Sequence, residues 1–293
     1  MMYLPHLLSV AMLTYNNTQQ ARTDSCLSFD PINPTYQVSS KYAPDKLSTW
    51  NYGIELDGWM MAHDALRGEV NDFDKALETL LTTTNLNTSQ ARAVQQWWSL
   101  HRTHMESHHR NEDKIVKKFA CRRFKYPEFM EKDHLKIEAH LRAIDTQVGE
   151  LIGNFSSVPT VNDDTSQSIL SKLSVSWKAY KADLFPHLKA EEDICIPLMR
   201  AYFTMSRVHH MAHKLARTGP RVETGAIVHY AGKDRVFDIM KTQQVPVLLR
   251  KVAWALILRP RYQYYQTHML GMLKILSQGE TLEASHGTVQ PKI

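Results

Sequence analysis

Residues 94–119 read VQQWWSLHRTHMESHHRNEDKIVKKF, and this stretch decides the fold. Its apolar residues recur at steps of three and four, which is the spacing of one face of an α-helix. The same face also carries polar residues where a core would hold leucine: His101, His104, His108 and Glu112. Because burying polar groups without partners is costly, the stretch predicts a buried helix whose polar side chains share a partner, such as a metal ion.

Three further segments show the same helical periodicity. Their inward stripes begin at Trp59, Met130 and Leu173 and end at Leu80, Leu151 and Leu198. Turn-forming segments at 85–89, 123–127 and 158–165 separate the four stripes. The sequence therefore predicts an all-α protein whose core is an up-down-up-down four-helix bundle.

Two pairs in these stripes share one spacing, His108 with Glu112 and His187 with Glu191. Residues four apart lie on one face of a helix, so each pair offers an imidazole and a carboxylate to the same side. One such pair is common by chance, but here two pairs are flanked by inward-facing histidines on the other two helices. The six candidate metal ligands are His63, His108, Glu112, His134, His187 and Glu191.

The positions of the candidate ligands agree with a single site. The midpoint between His63 and the second-helix pair falls near residue 86, inside the first turn. The midpoint between Glu112 and His134 is residue 123, and that between His134 and the fourth-helix pair falls near residue 162. Because every helix rises by about 1.5 Å per residue, an antiparallel bundle brings all these side chains to one level.

Four imidazoles and two carboxylates form a borderline-to-hard ligand set. Two carboxylates among six ligands favour a dinuclear centre in which Glu112 and Glu191 bridge the ions. We expect two iron ions, and manganese or zinc is also compatible with these ligands.

This order of ligands resembles the hemerythrin-like family, which carries the HHE cation-binding domain. The strings AHDALRGEV (62–70), EKDHLKIEAHL (131–141) and PHLKAEEDICIPL (186–198) are similar to the family's first, third and fourth helices. The resemblance covers residues 52–203. It implies a four-helix bundle with a non-haem di-iron centre that binds or senses dioxygen or iron. It further implies that the irons are held as follows: His63 and His108 on one, His134 and His187 on the other, and Glu112 and Glu191 between them.

The sequence departs from the classical oxygen carriers of that family in its third helix. Those proteins have a second histidine one turn after the third-helix ligand, where this chain has Glu138. A seventh ligand would then be Glu138, His109 or water. An altered ligand set favours sensing, iron handling or redox chemistry over reversible oxygen carriage. His101 and His104 are expected beside the ligands, and Glu192 is expected to face solvent.

Two alternative functions remain open beside binding and sensing. One is a redox enzyme that uses the centre on peroxide, nitric oxide or oxygen, and the other is a metal-free helical interaction protein. The pattern favours a binding protein over an enzyme. We expect dioxygen or a small anion as the ligand at the metal, and the sequence names no protein partner.

The rest of the chain adds three expectations about organisation. Residues 1–48 are predicted to be a flexible lead-in, 49–204 the hemerythrin-like bundle and 205–293 a C-terminal helical extension. Basic and apolar residues between 248 and 261 would permit this extension to contact a membrane surface.

Composition gives information about the cellular compartment of the protein and about its binding partners. Three cysteines without a CxxC pair indicate a reducing compartment, and we find no apolar run long enough to span a membrane. A net charge of +5 identifies no anionic partner, and no basic-aromatic pattern indicates nucleic acid. We therefore expect a cytoplasmic protein.

Overall fold

The computed structural model describes residues 50, 52–83, 86–156 and 163–278, and its regular elements in these ranges are all helical. The prediction of an all-α protein is thus confirmed there, while the predicted lead-in at 1–48 lies outside the described residues. In chain order the α-helices are α1 Gly58–Thr82, α2 Thr88–Asn111, α3 Lys117–Ala120, α4 Glu128–Ser156, α5 Asp163–Ala190, α6 Ile196–Tyr202, α7 Met205–Thr218, α8 Arg221–Thr242, α9 Val247–Ala253, α10 Arg259–Tyr265 and α11 Gly271–Gln278. Four π-helical turns join them at Glu112–Val116, Glu191–Cys195, Trp254–Leu258 and Gln266–Leu270.

Local signals explain where the first two long helices begin. The Asp57 side chain accepts a hydrogen bond from the backbone N–H of Trp59, 3.1 Å away. At α2, Asn87 accepts from the backbone of Gln90, and the Gln90 side chain accepts from the backbone of Asn87. This reciprocal capping box supplies partners for backbone N–H groups at the helix start.

The four predicted stripes lie on α1, α2, α4 and α5. Helix α1 packs on α5, α5 on α4, and α4 on α2. Their shared core is centred on three fully buried aromatic residues, Phe73, Trp97 and Trp177. The ring centroids of Phe73 and Trp97 stack 4.2 Å apart, and Trp177 meets Phe73 edge-on at 4.8 Å. Each such side chain contributes on the order of 2 kcal/mol of burial energy.

The C-terminal helices belong to the same core. Helices α8 and α11 each pack on both α1 and α2, and α10 packs on α8. At the α8–α10 crossing a Cβ atom on Gly225 would lie 2.5 Å from the carbonyl oxygen of Arg261, so only glycine permits this approach. Tyr265, Met269 and Leu276 are fully buried against the bundle.

The surface of the C-terminal region carries some exposed apolar residues. Val247, Leu248 and Leu256 are each more than half exposed. Even so, none of the helices in the described ranges is both long enough and apolar enough to cross a membrane.

A fully buried polar network lies between α1, α2 and α5. Glu69 accepts a hydrogen bond from Nδ1 of His101 at 2.7 Å and lies 3.1 Å from Nδ1 of His104. On its other side, His101 Nε2 lies 2.9 Å from the hydroxyl of Tyr180. All four side chains have no exposed surface. Glu69 therefore ties α1 to α2, and His101 ties both helices to α5.

The charges in this network compensate one another. Burial acts to raise the pKa of Glu69, but His104 and His101 outweigh it and lower that pKa to about 2. Burial acts to lower the pKa of His104, but the Glu69 carboxylate outweighs it and raises that pKa. Both shifts favour a buried ion pair between Glu69 and His104.

We predict that Glu69→Gln destabilises the protein, because it removes the counterion of His104, which must then lose its proton or stay charged without a partner. Breaking a buried pair costs about 3–5 kcal/mol. The exposed Glu78 of the same helix provides the control, Glu78→Gln, which should leave the melting temperature unchanged. Thermal unfolding followed by circular dichroism measures both variants.

The loss of stability caused by Glu69→Gln should depend on pH. A carboxyl whose pKa is lowered on folding stabilises the protein above its unfolded pKa, and this stabilisation is lost as pH falls towards its folded pKa. For Glu69 that window runs from 4.5 down to about 2. The raised pKa of His104 contributes stability fully below its unfolded value of 6.5, so the stability difference between wild type and Glu69→Gln should be full between pH 4.5 and pH 6.5 and shrink below pH 4.5. A difference that stays constant to pH 3 would contradict the ion pair.

Candidate metal centre

Both His-x-x-x-Glu pairs end where an α-helix changes into a π-helical turn. Helix α2 ends at Asn111 and the π turn starts at Glu112, and α5 ends at Ala190 and the π turn starts at Glu191. Such turns insert an extra residue into the helical repeat and are frequent at functional sites. Here they place both glutamates, and the acidic residue after each, against neighbouring helices.

The structure brings all six predicted ligands together and adds a seventh side chain. Their ligand atoms fall into two buried groups, in each of which the atoms lie within 4.8 Å of one another. The first group, called cluster A here, is His63, His108, Glu112 and Glu191. The second group, cluster B, is His109, Glu112, His134 and His187.

Glu112 belongs to both clusters. Its Oε1 lies 3.0 Å from Nε2 of His108 in cluster A, and its Oε2 lies 3.5 Å from Nε2 of His134 in cluster B. The indole N–H of Trp59 donates to Oε1 at 3.0 Å. This carboxylate therefore presents one oxygen to each cluster.

Glu191 is placed in the same way from the opposite helix. Its Oε2 lies 3.2 Å from Nε2 of His63, and its Oε1 lies 3.7 Å from Nε2 of His187. The two glutamates thus lie between the two sets of imidazoles. Carboxylates in this position can each bridge a pair of ions.

The acidic residue after each glutamate orients a histidine of another helix. Nδ1 of His63 lies 3.0 Å from Oε1 of Glu192, and Nδ1 of His134 lies 3.0 Å from Oδ1 of Asp113. Arg67 in turn donates to Glu192 at 2.7 Å. Such bonds to Nδ1 direct Nε2 at the centre, as carboxylates do for metal-bound histidines.

The prediction that Glu192 faces solvent is wrong. Its residue surface is only 8% exposed, because the π turn that starts at Glu191 carries this side chain onto α1. The sequence did hold a signal, since both pairs are followed by a second acidic residue, Asp113 and Glu192.

Buried ligand atoms face the clusters without hydrogen-bond partners among the described residues. These atoms are Nε2 of His63, His108, His109, His134 and His187, Oε2 of Glu112, and both carboxylate oxygens of Glu191. Each such atom costs about 1–3 kcal/mol when left without a partner. Metal ions would satisfy all of them at once, so these residues fit a metal centre.

The electrostatics of the centre suit cations. Burial acts to lower the pKa of His63, but the carboxylates of Glu112, Glu191 and Glu192 outweigh it and raise that pKa well above its usual range. Burial lowers the pKa of His109 well below its usual range, so its imidazole is neutral and ready to bind metal. The carboxylates that favour a positive charge on His63 would also attract a divalent cation.

Of the three candidates for a seventh ligand, the structure places His109 in cluster B. Its ring lies 4.2 Å from that of His134 and 5.5 Å from that of His187, between centroids. Glu138, by contrast, lies outside both clusters and pairs with Arg102 at 3.3 Å and Arg142 at 3.5 Å. A ligand role for Glu138 is therefore wrong for this geometry.

His109 projects about 100° away from His108 around the helix axis. The structure shows that both directions lead inward. The ring of His108 lies 5.2 Å from that of His63 on α1, while His109 meets the rings on α4 and α5. Helix α2 is surrounded by partners on two sides, so adjacent histidines serve different clusters.

His104 and His101 lie one and two helical turns before His108 on α2. Both bind Glu69 rather than the clusters. They therefore belong to the polar network described above.

Comparisons of the chain with protein-family models, with curated proteins and with solved structures found no match. The geometry therefore carries the functional assignment. The described residues form an all-helical bundle with two buried His/Glu clusters that share Glu112, an arrangement consistent with a binuclear metal site.

We predict that His109→Gln weakens metal binding at cluster B, and that Glu138→Gln does not. Loss of even an outer partner of a ligand costs about 10–100-fold in affinity, so loss of an inner imidazole should cost at least as much. Metal titration of the metal-free protein, followed by elemental analysis, compares the two variants. Equal loss of metal in both would contradict the assignment of His109.

Proposed function

We propose that this chain is a hemerythrin-like metal-binding protein whose non-haem di-iron centre binds or senses dioxygen or iron. The observation that carries the proposal is the position of Glu112 and Glu191, each of which turns one oxygen to cluster A and the other to cluster B. Glutamates that project inward from the helices are typical ligands of dinuclear centres in helical bundles. A single-ion site would leave one cluster of buried imidazoles without a partner.

The proposed ligands are the six predicted from the sequence together with His109. Five imidazoles and two carboxylates suit iron, and manganese or zinc remains compatible. Bound iron would supply redox chemistry and an affinity for dioxygen, while the protein holds the ions and excludes water around them. The unpartnered ligand atoms weigh against the metal-free interaction protein.

We further propose that residues 49–204 form the metal-bearing unit as an up-down-up-down four-helix bundle. The contacts of α1 with α5, α5 with α4, and α4 with α2 support this topology. The C-terminal extension at 205–293 would then act as a cover, since α8 and α11 pack on α1 and α2. Its contact with a membrane surface and the cytoplasmic location stay predictions.

His109 changes the expectation for dioxygen. The preference for sensing, iron handling or redox chemistry over reversible oxygen carriage rested on the altered third-helix position, Glu138, which pairs with arginines instead. His109 supplies from α2 the imidazole that the third helix lacks. The ligand set therefore supports dioxygen or a small anion as the ligand at the metal, whether the protein binds it reversibly or senses it.

We predict that the properly loaded protein holds two metal ions. Glu112→Ala and Glu191→Ala should each reduce metal content sharply, because each carboxylate serves both ions. Glu150 on α4 is exposed, so Glu150→Ala is the control and should keep both ions. Metal content that is undiminished in either bridging variant would contradict the dinuclear centre.

We also predict that the iron-loaded, reduced protein responds to dioxygen. Mixing with dioxygen in a stopped-flow instrument should change the absorption of the metal centre in wild type and not in Glu191→Ala. An absorption change that reverses when oxygen is removed would indicate binding, and an irreversible one would indicate sensing. No absorption change in a fully loaded sample would contradict the proposal. In a separate assay, sustained consumption of peroxide by the loaded protein would favour the alternative of a redox enzyme.

A further inference from the structure

A second group of buried polar side chains lies two helical turns from the metal centre. Tyr180 precedes His187 by seven residues on α5, and His101 precedes His108 by seven on α2. Seven residues are two helical turns, so both side chains lie on the ligand face about 10 Å along the bundle axis. The ligand face therefore leads to a second polar group deeper in the core.

This polar group has the arrangement of an acid-base relay. The hydroxyl of Tyr180 lies 2.9 Å from Nε2 of His101, and Nδ1 of His101 lies 2.7 Å from Oε2 of Glu69. A carboxylate that accepts from Nδ1 fixes the tautomer in which Nε2 is the acceptor. The tyrosine O–H therefore donates to an imidazole that is able to take its proton.

The surroundings isolate this chain from solvent. Tyr180, His101 and Glu69 have no exposed surface. The ring of Trp97 stacks on that of His101 at 5.0 Å, and Trp177 lies 5.3 Å from Tyr180, between centroids. Because the hydroxyl of Tyr180 is fully buried and lies 2.9 Å from Nε2 of His101, a proton leaving Tyr180 has His101 as its acceptor.

We propose that Tyr180 is a redox-active tyrosine that gives one electron to an oxidant at the metal centre while its phenolic proton moves to His101. The identity of that oxidant rests on the proposed function, with hydrogen peroxide as the co-reactant. Tyr180 and His101 act as a pair in this step, and Glu69 positions His101.

The step balances in atoms and electrons. The O–H bond of Tyr180 breaks, one electron leaves the ring, and a neutral phenoxyl radical remains. The proton forms a bond to Nε2 of His101, and the resulting imidazolium ion is stabilised by the Glu69 carboxylate. Hydrogen peroxide takes two electrons, one from Tyr180 and one from the metal centre, and with two protons from solvent becomes two molecules of water.

The protonation states of Tyr180 and His101 fit this step. Burial raises the pKa of the Tyr180 hydroxyl well above its usual range, so the tyrosine is protonated before oxidation. Burial lowers the pKa of His101, so its imidazole is neutral and free to accept. The proton can therefore leave only with the electron.

Tyr230 on α8 has a different polar environment. Its hydroxyl donates to the carboxylate of Asp72 at 2.9 Å and lies 3.4 Å from the hydroxyl of Tyr265, and among the described residues no imidazole bonds to it. Tyr230 is therefore a matched control, because it is a partly buried tyrosine with a polar partner and lacks the relay.

The first experiment uses the iron-loaded protein, reduced and then mixed with hydrogen peroxide, frozen rapidly and examined by electron paramagnetic resonance. We expect a tyrosyl radical signal in wild type and in Tyr230→Phe, and its loss in Tyr180→Phe with metal content unchanged. His101→Gln should slow radical formation, since an amide can accept the hydrogen bond but cannot take the proton. A loaded sample that forms no Tyr180-dependent radical overturns the inference and leaves the metal centre intact.

The second experiment needs no metal, so failure of the proposed function does not affect it. Pulse radiolysis of the metal-free protein with the azide radical, a one-electron oxidant, first oxidises tryptophan side chains. We expect the electron hole to move to Tyr180, seen as a phenoxyl absorption that is lost in Tyr180→Phe and kept in Tyr230→Phe. A phenoxyl yield in Tyr180→Phe equal to that of wild type would show that the network is only structural.

Discussion

The interior of this protein is organised by carboxylates and imidazoles that are buried together. Several of their oxygen and nitrogen atoms have no hydrogen-bond partner among the described residues. Both oxygens of Glu191 and the Nε2 atoms of five histidines face one another at the centre. In a core of low polarity this arrangement is unfavourable unless cations occupy the space between. The long helices, the turns at their ends and the acidic residues around them all serve to hold these groups at one level.

The two π-helical turns at Glu112–Val116 and Glu191–Cys195 position the carboxylates of the centre. A regular α-helix would place Glu112 and Asp113 about 100° apart and direct one of them to solvent. The extra residue in each turn lets Glu112 face both clusters while Asp113 binds His134. The same device recurs at Glu191 and Glu192, so the centre has an approximate internal repeat.

The C-terminal helices affect the site although they supply no residue to the clusters. They pack on α1 and α2, the helices that carry His63 and His108. Through Tyr265 and Tyr230 they also cover the region around Glu69. This cover explains how a carboxylate and two histidines can be fully buried two helical turns from the metal centre.

Much of this could be predicted from the sequence, and the rest depended on how the helices meet. A repeat of 3.6 residues records which side chains face inward, so the helical class, the four stripes and the convergence of six ligands follow from residue spacing. Spacing does not record which neighbour an inward residue meets, nor where a π turn shifts the repeat. The tertiary structure alone therefore decided that His109 joins cluster B, that Glu138 pairs with arginines, and that Glu192 is buried against His63.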